Sequence, residues 1–157
     1  MTRPCAAFLL AGTWAVCLLA GCSPPPPPPP MLDLTIAGSA DQNPNPSGVP
    51  TPVAVHLYQL ASAQKFARAD VFALLEHEQA TLGADLLASD EVVIAPSEQK
   101  QIRQQAKIGT QVLGIVVLYA DIDHAQWRAS APVAASGPTR LVLDVQRLSA
   151  VLKPAGQ

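Results

Sequence analysis

The chain has 157 residues, with ten lysines and arginines against twelve aspartates and glutamates, and a formal net charge of −2. It contains no basic patch interleaved with aromatic residues, which argues against a nucleic-acid-binding protein. The length is enough for one domain with a substantial core and does not suggest several.

The N-terminus has the pattern of a secretory signal. Arg3 supplies a positive start, and residues 6–19 are apolar or small throughout, without a charge. This run is too short to cross a bilayer core, which needs about 20 residues. A short apolar segment between a positive start and small residues is typical of a cleaved signal peptide. We therefore expect residues 1–21 to be removed, which leaves 136 residues with a net charge of −3.

The signal ends in Leu19-Ala20-Gly21-Cys22, which looks like the lipobox of bacterial lipoproteins. Cleavage there precedes the cysteine, whose thiol receives diacylglycerol and whose new amine is acylated, as with palmitate. Several acyl chains on one residue matter, because one chain alone holds a protein at a membrane only marginally. Ser23, in place of an aspartate, favours sorting to the outer membrane. The alternative is a plain cleaved signal followed by a chance cysteine.

The start of the mature chain would then contain a single cysteine and a proline run. Cys5 and Cys17 leave with the signal, so no disulfide can form. The prolines at 24–30 favour an extended polyproline helix and a spacer of about 22 Å. A proline run can also be a ligand for aromatic-lined grooves, but a spacer is the simpler interpretation beside a lipid anchor. We expect a linker at 22–30 and one domain at 31–157.

Two strands and a loop are predicted at the start of this domain. Leu32, Leu34 and Ile36 alternate with other residues, which predicts a half-buried strand. The segment 41–52 is dense in Asn, Pro, Ser and Gly, and its X-Pro steps favour extended backbone. We expect a long, exposed and fairly rigid loop, either a recognition surface or a plain connector. A second strand is predicted at 53–60.

A helical insertion is predicted after the second strand, because residues 71–75 have apolar side chains at helical spacing. Ser62 and Asp70 are its expected N-terminal caps, and Gly83 is its expected end. Further strands are predicted at 85–88, 91–94, 100–106, 112–119, 127–133, 141–145 and 148–152, with a turn at Pro96-Ser97.

These elements together predict a mainly β protein, a sandwich of two sheets with a short helical insertion. The continuous apolar run 112–119 is expected to be a central strand, and the polar segment 100–106 an edge strand. Trp127 is expected in the core and Arg128 beside an aspartate, with a recognition pair as the alternative.

The sequence gives little support for an enzyme. His56 and His77 belong to no motif with metal-ligand spacing, and no serine stands in a Gly-x-Ser-x-Gly elbow. Asp121, Asp123 and His124 could together bind a divalent ion, but an Asx-type turn after the central strand also explains them. We therefore expect no catalysis, no metal and no cofactor.

A resemblance to a known family depends on several short stretches that follow the lipobox and the proline run in a fixed order. They are Asn43-Pro44-Asn45-Pro46-Ser47-Gly48, Thr51-Pro52-Val53, Val55-His56-Leu57-Tyr58-Gln59-Leu60, Phe66, Ala69-Asp70-Val71-Phe72-Ala73-Leu74, Leu82-Gly83-Ala84-Asp85-Leu86, Tyr119-Ala120-Asp121-Ile122-Asp123 and Ala125-Gln126-Trp127-Arg128. The chain resembles, over residues 32–143, the TssJ family of outer-membrane lipoproteins of the type VI secretion system. The chain departs from the family pattern at Ser97, where a glycine is expected after Pro96. The segment 144–157 also shows little similarity to the family.

The resemblance implies a transthyretin-like sandwich without catalysis, held at the outer membrane by lipidated Cys22 and facing the periplasm. It implies binding to the periplasmic domain of TssM, with TssL completing the complex. The family's binding loop falls on Asp41, Gln42, Asn43, Pro44, Asn45, Pro46, Ser47, Gly48, Val49 and Pro50.

Two other functions stay open at this point. A generic lipoprotein binding module or assembly chaperone would use another surface of the sheets. An envelope enzyme would be centred on Asp121, Asp123 and His124.

Overall fold

The computed structural model describes residues 27–156, so the predicted signal peptide, Cys22 and the first prolines lie outside the described residues. The strands are β1 (Met31–Gly38), β2 (Val53–Leu60), β3 (Leu86–Ile94), β4 (Gln99–Gln105), β5 (Val112–Leu118), β6 (Arg128–Pro132), β7 (Pro138–Val145) and β8 (Ala150–Pro154). The helices are α1 (Gln64–Arg68), α2 (Val71–Glu76) and α3 (Glu78–Leu82), with 3₁₀ turns at Gly83–Asp85 and Ile122–His124.

The strands form two four-stranded sheets, with the orders β4-β1-β7-β8 and β3-β2-β5-β6. The fold is therefore the predicted mainly β sandwich of two sheets with a helical insertion. In the first sheet, β1 runs antiparallel to β4 and parallel to β7. In the second sheet, β2 runs antiparallel to both β3 and β5. As predicted, the polar strand β4 lies at an edge and the apolar strand β5 lies inside its sheet.

The main core lies between the two sheets. Each inner strand contributes alternate apolar side chains to it, among them Leu34 of β1, Val55 of β2, Ile115 of β5 and Leu143 of β7. Successive side chains of a strand point to opposite faces, so the alternation seen in the sequence of β1 marks its inward face. Burial of these side chains is the dominant favourable contribution to folding.

One strand was predicted incorrectly. The sequence predicts two strands, at 85–88 and 91–94, where the structure has the single strand β3. Ser89 and Asp90 lie between the predicted strands, and they pair with Tyr58 and Leu57 of β2. Both polar residues are exposed. An edge strand can carry solvent-facing polar side chains without losing its ladder, so local polarity did not indicate a break.

The three helices cover the outer face of β2 and β5. Tyr58 and Val116 point away from the main core and are fully buried beneath Phe66 and Leu74. The hydroxyl of Tyr58 donates a hydrogen bond to the carbonyl of Leu74 at 3.1 Å. Both faces of β5 are therefore covered, which explains why its sequence is continuously apolar and not alternating.

The helix boundaries follow the sequence with one exception. Asp70 caps α2 as predicted, since its side chain accepts a hydrogen bond from the N–H of Ala73 at 3.0 Å. The N-cap of α1 is Ala63 and not the predicted Ser62. Ser62 lies one residue further out and accepts a bond from the N–H of Gln64 at 3.3 Å.

Arg128 joins the insertion to the second sheet, which differs from the predicted pairing with an aspartate. Its Nη1 donates to the carbonyls of Phe66 at 2.7 Å and Ala69 at 2.8 Å. Its guanidinium also lies 4.6 Å from the ring centroid of Trp127, close enough for a cation–π contact. Burial lowers the pKa of Arg128. The carbonyls at the end of α1 therefore take the place of the expected carboxylate.

The proline linker and the loop 39–52 lie at opposite ends of the sandwich. β1 begins beside the proline linker and leads into the loop 39–52. Eight residues of strand separate the two ends by about 25 Å.

Within residues 27–156, no helix has both the length and the apolar character needed to cross a membrane.

Candidate functional site

The loop between β1 and β2 is held in place by two buried amide side chains. The first is Gln42, which is fully buried. Its Nε2 donates to the carbonyl of Ile94 at 2.9 Å and to that of Thr51 at 3.3 Å. Gly38 makes room for it, because a Cβ there would collide with Oε1 of Gln42 and lie 2.7 Å from the carbonyl of Ala95. The loop is therefore attached to the second sheet at the end of β3.

The second buried amide, Asn43, links three connections at this end of the sandwich. Its Nδ2 donates to Oγ1 of Thr51 at 2.7 Å, and its Oδ1 accepts from the N–H of Ala120 at 2.7 Å. Its own N–H donates to the carbonyl of Arg147 at 2.9 Å. Asn43 has a φ of 44°, in the left-handed region that asparagine tolerates better than most residues. Asn43 thus fixes the loop to the turn after β5 through its side chain and to the turn after β7 through its backbone N–H.

The tip of the loop is a compact turn organised by Asn45. Its Oδ1 accepts hydrogen bonds from the N–H groups of Ser47 at 2.9 Å and Val49 at 3.0 Å. Its backbone N–H donates to the carbonyl of Val49 at 2.9 Å. Pro44 and Pro50 form an isolated bridge below the tip. The tip is therefore closed by its own bonds, as the prediction of a rigid loop requires.

The exposure of the loop is less uniform than the sequence suggested. Residues 46–49 are exposed, and the side chain of Val49 is 55% accessible. Gln42 and Asn43 are instead 0% and 4% accessible, although the whole of 41–50 was expected to be exposed. Polar side chains are rarely buried without partners. Both amide atoms of Asn43 are hydrogen-bonded, whereas Gln42 is bonded through Nε2 and its Oε1 has no partner among the described residues. They position the tip and do not form part of its surface.

A groove lies beside the loop, with a volume of about 370 Å³. One side is formed by the loop itself and the other by the turns after β5 and β7. The lining residues are Pro44, Asn45, Pro46, Ala120, Asp121, Arg147 and Leu148. The groove is therefore lined by prolines together with one acidic and one basic residue.

Arg147 and Leu148 belong to this site but were not predicted from the sequence. They fall in the segment 144–157, in which little resemblance to the family was expected, and they carry no local motif. They reach the groove because β7 runs parallel to β1, so that both strands end at the same end of the sandwich. Only the pairing of these two strands indicates the contribution of Arg147 and Leu148.

The possible metal site at 121–124 is only partly assembled. Nδ1 of His124 lies 2.7 Å from Oδ1 of Asp121, and this hydrogen bond raises the pKa of His124. Among residues 27–156, no group of three or more His, Cys, Asp or Glu side chains has the arrangement of a metal site. Asp121 instead lines the groove beside the loop. The segment therefore contributes charge to the candidate docking site.

The family follows from comparison with known proteins. The family model described as type VI secretion lipoprotein (VasD, EvfM, TssJ) matches residues 30–148. The chain belongs to this family. None of the curated proteins matches the chain.

Solved structures give the same result for the fold. The T6SS lipoprotein TssJ1 from Pseudomonas aeruginosa is 30% identical, with a TM-score of 0.79, over 83% of this chain and 99% of that chain. Serratia marcescens Lip, a membrane-bound component of the type VI secretion system, is 22% identical, with a TM-score of 0.73, over 82% and 98%. A structure described as the T6SS protein TssM C-terminal domain from EAEC has a chain 21% identical, with a TM-score of 0.67, over 80% and 99%.

Proposed function

We propose that this type VI secretion lipoprotein is an outer-membrane anchor of the secretion complex that binds the periplasmic domain of TssM. The binding surface is the exposed tip at 46–49 together with the groove beside it. TssL belongs to the same assembly and is reached through TssM. The observation that carries the proposal is the rigid presentation of the exposed Val49 by the buried amides Gln42 and Asn43.

Rigidity supports a docking role for this loop. Ordering a flexible loop on binding costs conformational entropy, and a loop already fixed in the free protein avoids most of that cost. The bonds of Asn43 hold the base of the loop, and those of Asn45 hold its tip. A plain connector needs neither set. The fixed geometry is therefore a reason to prefer recognition over connection.

The chemistry of the surface fits a protein partner. Val49 supplies an exposed apolar contact, and Asp121 and Arg147 supply charge at the groove. An apolar centre with polar groups around it is the usual composition of a protein–protein interface. Of the ten residues predicted to bind, Gln42 and Asn43 would act by positioning the others.

The position of the loop agrees with a bridging role. The linker enters one end of β1, and the loop leaves the other. A lipid on Cys22 would hold the linker end at the outer membrane after removal of residues 1–21, and the tip would then point into the periplasm. One domain could thus join the membrane to a periplasmic partner.

Catalysis has no part in this proposal. The family is one of structural type VI secretion lipoproteins, which are not known as enzymes. Asp121 and His124 have the geometry of a single exposed hydrogen-bonded pair. We assign these residues to the rim of the docking surface.

Calorimetric titration with the periplasmic domain of the cognate TssM tests the partner and the surface. The protein would be the mature chain 22–157 carrying Cys22→Ser, so that no lipid interferes. Val49→Asp should weaken binding at least tenfold, about 1.4 kcal/mol, because it places a charge in an apolar contact. Val93→Asp is the matched control, since Val93 is also exposed, at 50%, but lies on β3. It should bind like the parent protein.

The opposite result would identify a different binding surface. Binding that is lost with Val93→Asp and kept with Val49→Asp would move the TssM-binding surface to the sheet edge at β3 and overturn the role of the loop. A folded parent protein that does not bind would rule out this TssM domain as the direct partner. The anchor is tested separately by the mass and membrane fractionation of the wild type against Cys22→Ser, which should lose both the acyl mass and the membrane association.

A further inference from the structure

The linker is attached to the sandwich before it reaches β1. The carbonyl of Pro30 accepts a hydrogen bond from the N–H of Ala106 at 2.9 Å, and that of Pro28 accepts one from Gly137 at 3.2 Å. The N–H of Met31 donates to the carbonyl of Gly137 at 2.8 Å. The last prolines therefore extend the inner strand β1 between the ends of β4 and β7 and do not act as a free stalk.

This attachment limits how far the domain can stand from a lipid on Cys22. Pro28 lies six positions after Cys22, and six steps of a polyproline helix span about 19 Å. The polar region of one bilayer leaflet is itself about 5–8 Å thick. The linker end of the sandwich is therefore constrained to lie close to the membrane surface.

The most exposed large apolar side chain among the described residues lies at this same end. Ile108 is 93% accessible and stands at the tip of the turn between β4 and β5. The turn is fixed from below by the buried side chain of Gln59, whose Oε1 accepts from the N–H of Lys107 at 2.7 Å and from Oγ1 of Thr110 at 3.2 Å. A well-held turn thus presents an isoleucine to its surroundings.

An apolar groove connects this turn with the linker. It has a volume of about 280 Å³ and is lined by Pro30, Ile108, Gly109, Thr110, Gln111 and Ala135. The groove and the exposed isoleucine belong to one surface, which surrounds the point where the linker meets the sandwich. We call this surface the linker-end patch.

The charged residues near the linker-end patch bear on what the patch contacts. Segments 27–32, 104–112 and 133–139, which form the linker-end patch and its surroundings, contain no acidic residue and a single basic residue, Lys107. The fourth connection at this end is the helical insertion, which carries Asp70, Glu76, Glu78 and Asp85 together with Lys65 and Arg68. The absence of acidic residues is therefore a property of the linker-end patch and not of this whole end of the sandwich. The connections at the opposite end carry the acidic residues Asp41, Glu98, Asp121 and Asp123. Carboxylates are repelled by anionic lipids, whereas a lysine beside an apolar side chain favours them.

We propose that the linker-end patch rests on the lipid surface and that Ile108 enters the boundary between headgroups and acyl chains. This contact holds the sandwich upright on the membrane, with the loop 39–52 pointing away from it. The inference rests on the proposed lipid anchor, which brings the patch to the membrane. Lipid is favoured over a protein as the occupant because the linker is short and because the patch contains one lysine and no acidic residue.

Quenching of a fluorescent label by spin-labelled lipid headgroups tests the contact between Ile108 and the bilayer. The lipidated mature protein would carry Ile108→Cys or, as a matched control from the opposite end, Val49→Cys. Cys22 is the sole other cysteine of the mature chain, and its thiol is occupied by lipid, so an environment-sensitive dye labels one site. The vesicles would contain phosphatidylethanolamine and phosphatidylglycerol, with and without spin-labelled headgroups. The spin-labelled headgroups should reduce the emission of the dye at position 108 at least twofold. The emission of the dye at position 49 should not change.

Flotation of the vesicles separates failure of the anchor from failure of the contact. Protein that floats but shows no quenching at 108 overturns the inference and leaves the anchor intact. Equal quenching at 108 and 49 overturns the upright orientation. Protein that does not float overturns both the anchor and the inference. Shielding of the label at 108 by the periplasmic domain of TssM, without lipid quenching, assigns the patch to a protein and also overturns the inference.

Discussion

The side chain of Asn43 accepts a hydrogen bond from the backbone N–H of Ala120 at 2.7 Å, across 77 residues of sequence. This bond joins the loop after β1 to the turn after β5, on opposite sheets of the sandwich. Because the same side chain also donates to Thr51 and Pro52, the base of the candidate docking loop is fixed from three directions.

Replacing Asn43 by alanine should destabilise the protein. The change removes three hydrogen bonds of a buried amide and leaves the N–H of Ala120 without its partner, a loss of about 2–4 kcal/mol. Urea denaturation measures it. Ser47→Ala, at the exposed tip, is the control and should stay within about 0.5 kcal/mol of the wild type. A loss below 1 kcal/mol for Asn43→Ala would show that these bonds do not hold the loop.

Gly114→Ala should disturb the contact between the insertion and β5. An added Cβ would lie 2.9 Å from Cζ of Phe66 and 3.0 Å from Cδ1 of Leu60, so the aromatic ring must move. Overpacking of this kind costs about 1–3 kcal/mol. Combining it with Phe66→Leu tests the mechanism, because the double variant should lose less stability than the two single losses together. Strict additivity in thermal or urea unfolding would contradict this contact.

Ser97→Gly should stabilise the turn between β3 and β4. Ser97 has a φ of 62°, a conformation in which a side chain is strained and glycine is not. Relief of that strain, less the greater freedom of glycine in the unfolded chain, should give about 0.5 kcal/mol. Ser97→Ala keeps the Cβ and should bring no gain. The midpoints of urea unfolding of the two variants test this prediction. Equal midpoints for Ser97→Gly and Ser97→Ala would refute the strain at this position.

His124 should titrate above its ordinary value of 6.5, because the hydrogen bond to Asp121 raises its pKa. A raised pKa means that protonated His124 contributes stability below about pH 6.5, and that this contribution disappears as the pH rises through the folded-state pKa. Asp121→Asn should return the pKa towards 6.5. Nuclear magnetic resonance titration of the imidazole measures both proteins, and an unchanged pKa in the variant would exclude the hydrogen bond as the cause.

Local sequence patterns predicted most of the strands for a simple reason. Alternation in β1 and continuous apolarity in β5 reflect how many faces of a strand are buried, and this signal is written in consecutive residues. The helix cap at Asp70 is local as well, because a side chain bonds a backbone group three residues away. The glycine that the family resemblance implied at position 97 has a physical reason in the structure, since the backbone there has a positive φ.

The errors have a common origin. Ser89 and Asp90 were left out of the predicted strands, although polar side chains are compatible with an edge strand. Only the sheet order reveals that β3 is such an edge. Arg128 was assigned an aspartate because a guanidinium needs acceptors, but the acceptors are carbonyls that the insertion brings above β5 and β6. Both outcomes depend on which distant segment lies against the residue.

The sequence by itself determined that this chain is a mainly β domain behind a lipoprotein-like N-terminus, because periodicity, turn residues and family motifs are properties of short segments. Only the tertiary structure decided that Gln42 and Asn43 are buried at the base of the loop, and that Arg147 lines the groove. The physical reason is that burial and hydrogen-bond partners are set by strand pairing between segments far apart in the chain, which no local pattern encodes.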